Sequence, residues 1–164
     1  MKLAISNIAW MPTERGAVCD EMAEAGVTGL EIAPGLFFHN AEDPFSPSPG
    51  VAHAALVEIA DRGLTLVSMQ SLLLGLSGAG LFGDAEARAN LGRGMERAIA
   101  LAGRFGIPNL VFGSPSQRCV PKGLPINQAL EQATEVFRSF AAAAESAGTK
   151  IAIEANPAAY GTNF

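Results

Sequence analysis

Apolar residues along this chain fall into two alternating kinds of run. Short blocks, Lys2-Leu-Ala-Ile5, Leu30-Glu-Ile-Ala33, Leu64-Thr-Leu-Val-Ser68, Asn109-Leu-Val-Phe112 and Lys150-Ile-Ala-Ile153, have the length of strands. Between them lie longer stretches with helical spacing. Leu91, Met95, Ala98, Ile99, Ala102 and Phe105 recur mostly at three- and four-residue steps, and so do Leu130, Ala133, Phe137, Phe140, Ala141 and Ala144. A glycine closes each helical stretch just before the next strand: Gly26, Gly63, Gly106 and Gly148. That is where a helix ends in a left-handed residue, which glycine adopts without a Cβ penalty. Helix, glycine, short turn and apolar strand thus repeat four times after an opening strand, predicting five strands and four helices in alternation. Asp84 and Thr13 stand where the third and first helices need an N-cap.

Strict alternation predicts a parallel sheet, with each helical stripe covering its outer face. The connections are unequal. Turns from helix to strand are short, whereas those from strand to helix are long: 34–50, 71–83 and 114–125. Long loops gathered at one end of an α/β layer usually build the functional site. None reads as a domain linker, because the alternation resumes at once, so residues 1–164 are expected to form a single domain.

Composition narrows the function classes. The 164 residues are 49% hydrophobic and 16% charged, which suits a buried sheet. The net charge of −5, with Lys and Arg scattered, gives no basic field for nucleic acid or an anionic membrane. No run reaches the ~18 apolar residues of a membrane span. Cys19 and Cys119 set no disulfide framework. A cytoplasmic protein with free thiols is the expectation.

Each strand presents polar groups at its C-terminal end, where parallel α/β proteins place their chemistry. The first gives Ser6 and Asn7 with Trp10 beyond; the second carries Glu31; the third ends in Ser68-Met69-Gln70. The fourth ends in Phe112-Gly113-Ser114 with Arg118 following, and the fifth delivers Glu154 and Asn156. Glu154 sits where a catalytic carboxylate is expected. Glu31 reads equally as half of a structural ion pair, and Gln70 equally as a tie for the loop after it. Arg118 suits bidentate binding of a phosphate or carboxylate, or a solvated surface position. His39 and His53 have no partners at metal-ligand spacing and read as solvated or capping residues. Gly113-Ser-Pro-Ser116 lacks the lysine and glycine spacing of a phosphate loop, and no Ser-His-Asp set is present.

Taken together, Ala4-Ile-Ser-Asn7 with Trp10, Leu30-Glu-Ile-Ala-Pro34, Ser68-Met-Gln-Ser-Leu-Leu-Leu-Gly75 with Leu81-Phe-Gly-Asp84, Val111-Phe-Gly-Ser-Pro115 with Arg118, and Ile153-Glu-Ala-Asn-Pro157 with Tyr160-Gly161 resemble the sugar phosphate isomerase/epimerase family, the xylose isomerase-like barrels. The resemblance runs over the whole chain and implies a (β/α)8 TIM-barrel fold with a divalent metal, Mn, Mg, Co or Zn, at its C-terminal mouth. It implies a substrate that is a sugar or sugar phosphate, isomerised or epimerised by moving a proton next to a carbonyl through an enediolate. By position, Glu154 would be the fifth-strand metal ligand and acid/base. Asn7, Glu31, Gln70, Ser114, Arg118 and Asn156 would contact substrate or support the site.

A complete barrel takes ~250 residues. Five of eight βα units are expected here, with one of the metal ligands, so this stretch alone is expected to lack isomerase activity and to bind metal weakly. Competing readings are a flavodoxin-like α/β binding module and a non-catalytic scaffold of associated half-barrels. A related barrel acting on abasic DNA would need many histidines and a basic groove, against two His and a charge of −5. Nucleic acid and membranes are not expected partners; association with further copies is an open expectation.

Overall fold

The computed structural model describes residues 3–163; Lys2, assigned above to the first strand, and Phe164 lie outside them. The described residues form strands β1 (Ala4–Ser6), β2 (Gly29–Ile32), β3 (Thr65–Met69), β4 (Asn109–Phe112) and β5 (Lys150–Ile153). They pair in parallel as one sheet in the order β1-β2-β3-β4-β5. An order that follows the chain is that of a barrel wall. A flavodoxin-like sheet runs 2-1-3-4-5, so the observed order removes that alternative. Crossovers between parallel neighbours are right-handed, which stacks the helices on one face and leaves the other as the inner face of a partial α/β barrel.

The helices are α1 (Arg15–Glu24), α2 (Pro34–Phe37), α3 (Pro49–Ala60), α4 (Ala85–Phe105) and α5 (Ile126–Ser146). The single turn α2 falls in a stretch expected to be loop. Pro34 starts it, where a missing N–H costs nothing because the first amides of a helix have no partner. Asp84 caps α4 as expected, accepting from the Ala87 N–H at 2.9 Å. Thr13 does not cap α1. It lies in a 3-10 turn, Pro12–Glu14, and the Glu14 carboxylate instead reaches back to the Met11 N–H at 2.9 Å.

The glycine stops are one motif used four times. At Gly106, φ of 62° lets the chain turn back, so that the Ile107 N–H meets the Ala102 carbonyl at 2.9 Å. The same five-residue-back bond joins Val27 to Met22, Leu64 to Ile59 and Thr149 to Ala144, at 2.9, 3.0 and 2.9 Å. Val27, Leu64, Ile107 and Thr149 are all buried, so each stop also seats the residue that leads into the next strand.

Leu30, Ile32, Met69, Leu110 and Phe112 are fully buried under the helices. Leu91, Met95, Ala98, Ile99 and Ala102 of α4 meet them as the stripe predicts. The stripe of α5 is only half covered: Ala133, Phe140 and Ala144 are buried, while Leu130 and Ala141 are exposed. Ion pairs tie α1 to α3 and to the turn after it, Arg15 to Glu58 at 2.5 Å and Asp20 to Arg62 at 2.7 Å. Among the described residues no helix is long and apolar enough to cross a membrane.

Candidate active site at the C-terminal ends of the strands

The inner face of the sheet carries a polar network built by a break in strand register. Leu30 pairs with Leu66, but the next residue, Glu31, pairs with Ser68, leaving Val67 as an extra residue in β3. Such a bulge reverses which face the following side chains take. Leu66 packs toward the core; after the bulge Ser68 and Gln70 turn inward and Met69 takes the buried side. The Ser68 hydroxyl donates to Glu31 Oε2 at 2.6 Å. The Gln70 amide nitrogen donates to Glu31 Oε1 at 2.6 Å and to the Ser6 hydroxyl at 2.7 Å. Three strand ends are thus joined: β2 to β3 through the Glu31 carboxylate, which accepts on both oxygens, and β1 to β3 through the Gln70 amide.

A second cluster forms where β4 and β5 end. Met69 pairs with Leu110, both buried, and alternation then brings Gly113 and Glu154 to the inner face. Glu154 is exposed at this mouth and Asn156 half-buried. Arg118 closes a 3-10 turn, Pro115–Arg118, and is buried, with 4% of its surface accessible. Its Nη2 donates to the Glu154 backbone carbonyl at 2.6 Å and to Asn156 Oδ1 at 3.0 Å. Ser114 starts that turn in the left-handed region, with φ of 37°, and its carbonyl accepts from the Gln117 N–H.

Of the residues singled out by sequence, Glu31 and Gln70 are brought together, and so are Glu154, Asn156 and Arg118. Ser114 contributes through its backbone. Asn7 stands apart: it is buried and clamps the backbone of Ala33, accepting from its N–H at 2.7 Å and donating to its carbonyl at 3.4 Å. Its amide is spent on holding the end of β2. His39 borders a hollow of about 270 Å³ beside Arg15 and Phe38, away from both clusters. Sequence reasoning missed Gly113, where a Cβ would stand 2.5 Å from Glu154 Oε2. It also missed the contacts that fasten the segment after β5 to the loop after β4. Asn163 exchanges two hydrogen bonds with the backbone of Val120, at 2.7 and 3.1 Å, and the Cys119 thiol donates to the Gly161 carbonyl at 2.7 Å. A glycine at the end of an apolar strand was the one available signal.

Among the described residues, no three His, Cys, Asp or Glu side chains converge as a metal ion requires. Glu154 is a single carboxylate donor beside an amide oxygen and a guanidinium that are bonded to each other. Among the described residues, the donors at this mouth are fewer than a divalent metal takes.

A family model described as xylose isomerase-like TIM barrel matches residues 19–164. No curated protein matches the sequence. Among solved structures, D-psicose 3-epimerase with D-tagatose from Clostridium cellulolyticum H10 superposes with a TM-score of 0.71 at 18% identity, over 96% of this chain and 53% of that one. The apo form of 3-keto-D-glucoside 4-epimerase, YcjR, from E. coli gives 0.66 at 18% identity, over 93% and 55%. A xylose isomerase-like TIM barrel protein from Mycobacterium smegmatis in complex with magnesium gives 0.56 at 16% identity, over 90% and 48%. At these identities the likeness carries the fold, and this chain spans about half the length of those neighbours.

Proposed function

The chain belongs to the xylose isomerase-like TIM barrel family, and on that premise we propose that it forms the substrate-facing wall of a sugar isomerase or epimerase, with Glu154 as an acid/base. The observation that carries this reading is the gathering of an exposed carboxylate and a fixed polar network at the C-terminal ends of consecutive parallel strands. In barrels of this kind, that end is where substrate is bound. Two of the neighbours are named for sugar epimerases, and the D-psicose 3-epimerase structure is one with D-tagatose.

The two clusters suit different tasks. Glu31 accepts from Ser68 and Gln70, which fixes its orientation and suits it to receive hydroxyl donors from a polyol. Among the described residues, the Glu154 carboxylate has no such pair of donors, and it is open at the mouth, as a group that must take and return a proton needs to be. The proton in question is the one on a carbon next to a carbonyl, whose removal leaves an enediolate. Asn156 lies beside Glu154 to orient a hydroxyl or carbonyl of the substrate. A divalent cation would take Glu154 as one ligand and the rest from groups that residues 3–163 do not supply.

The reading is tested with the intact protein in D2O against a panel of ketoses, aldoses and their phosphates. Deuterium should enter the position next to the carbonyl. Glu154→Gln should slow that exchange by ~10²- to 10⁴-fold, the usual worth of a positioned acid/base. Exchange that survives the substitution undiminished would remove Glu154 from the chemistry.

A further inference from the structure

We propose that Arg118 is a positioning residue for Glu154 and that Gly113 is the gap that receives the Glu154 carboxylate. The inference rests on the proton-transfer role proposed above and names what makes that role precise.

Glu154 is fixed at both backbone groups by the neighbouring strand and its loop. Its N–H donates to the Phe112 carbonyl at 3.1 Å, and its carbonyl accepts from Arg118 Nη2 at 2.6 Å. The same nitrogen holds Asn156 Oδ1 at 3.0 Å. One guanidinium nitrogen therefore sets both polar residues of the strand end. A charge-assisted bond of this kind is stronger than a neutral one. Only 4% of the surface of Arg118 is accessible, and its Nε has no partner among the described residues. Burying a guanidinium is costly, and the chain has spent that cost on this clamp.

The turn that carries Arg118 is itself held. The Gln117 carbonyl accepts from the Leu81 N–H at 2.7 Å, linking the loop after β3 to the loop after β4. Beyond Arg118, the Cys119–Gly161 and Val120–Asn163 contacts sew the segment after β5 onto the same loop. The clamp is thus built on a braced support, as a group needing placement to a fraction of an ångström requires.

Gly113 supplies the other half. An added Cβ would lie 2.5 Å from Glu154 Oε2 and 3.5 Å from Asn156 Oδ1, closer to the carboxylate than real contacts allow. Gly113 is not among the residues with positive φ, so alanine is tolerated by its backbone, and only the carboxylate has to move.

Three variants of the intact protein decide the matter, each read by steady-state kinetics and by amide hydrogen exchange. Gly113→Ala should lower kcat by ~10- to 100-fold with KM held within about twofold, the pattern of a misplaced acting group rather than lost substrate binding. Arg118→Met should lower kcat similarly and speed amide exchange between residues 154 and 163 by at least ~10-fold, while α4 keeps its protection. Arg118→Lys, whose single ammonium can make both bonds of Nη2, should recover most of the loss. A raised KM with kcat unchanged in Arg118→Met would instead make Arg118 a substrate anchor and overturn the proposal. Wild-type kcat in Gly113→Ala would do the same for the gap. If Arg118→Met does not fold, Gly113→Ala decides. If the wild-type protein exchanges no sugar proton at all, the isomerase reading fails, and the exchange pattern of Arg118→Met still judges the clamp.

Discussion

Single residues show where this chain departs from its own repeat. Three of the four helix stops seat Val27, Leu64 and Ile107; the fourth seats Thr149, whose hydroxyl is buried and has no partner among the described residues. An unpaired buried hydroxyl costs about 1–3 kcal/mol, and the isosteric valine removes it without opening a cavity. Thr149→Val is therefore expected to stabilise the chain by about 1 kcal/mol in urea denaturation. A destabilised variant would show that the hydroxyl finds a partner in solution. The two cysteines differ in the same local way. Cys19 is fully buried, and desolvation pushes its thiol above the usual range, with smaller opposing pulls from Arg62 and Arg15. Cys119 is half-buried on the loop after β4. The thiolate is the reactive form, so Cys19 stays protonated and silent at neutral pH. A thiol reagent should titrate one group in the native protein, Cys119, and two after denaturation; fast labelling of Cys19 would contradict its burial.

At the scale of elements, what the sequence made legible and what it hid follow from one physical difference. The helix, glycine, strand repeat is local: its stops depend on residues within one turn, so Gly26, Gly63, Gly106 and Gly148 could be read directly. The bulge in β3 is not local. Thr65-Leu-Val-Ser-Met69 gives no sign of which residue drops out of register, because that depends on what β2 offers opposite. The polar strand ends were legible one by one, whereas the grouping of Glu31 with Gln70 and Ser68 depends on the bulge. The grouping of Arg118 with Glu154 depends on two loops meeting. The bulge also makes a testable asymmetry between strands. Val67 is the unpaired extra residue, so deleting it joins Leu66 to Ser68 in plain alternation and keeps Ser68 facing Glu31. Deleting Val111 from the regular strand β4 instead turns Phe112, now fully buried, out of the core. Losing a phenylalanine from a core costs about 3–5 kcal/mol. Thermal melts followed by circular dichroism should show a cooperative transition near that of the parent for the Val67 deletion, and a lost or strongly lowered one for the Val111 deletion. Equal damage from both would mean that the bulge is itself needed for folding.

The whole molecule is a curved wall with helices on one side, and its β5 edge is its least finished part. The predicted stripe on α5 assumed a sheet beneath all of it. Instead Leu130 and Phe137, with Ile153 of β5, line an open hollow of about 530 Å³. Ile153 is 57% exposed, although the matching position on β4, Phe112, is fully buried. The solved neighbours are about twice as long, and in such an architecture another layer of strand and helix lies over an edge of this kind. Within this chain, the open edge means that Ile153 contributes little. Ile153→Asp is expected to cost less than about 1 kcal/mol, as exposed substitutions usually do. Burying that aspartate under a covering chain would cost several kcal/mol, since a charge would be taken from water into a hollow lined mostly by apolar residues. Urea denaturation of the variant at two protein concentrations separates the cases. A small cost, independent of concentration, matches the open edge. A cost above about 3 kcal/mol that changes with concentration would show a second copy closing the groove, and so a larger assembly built through β5 and α5.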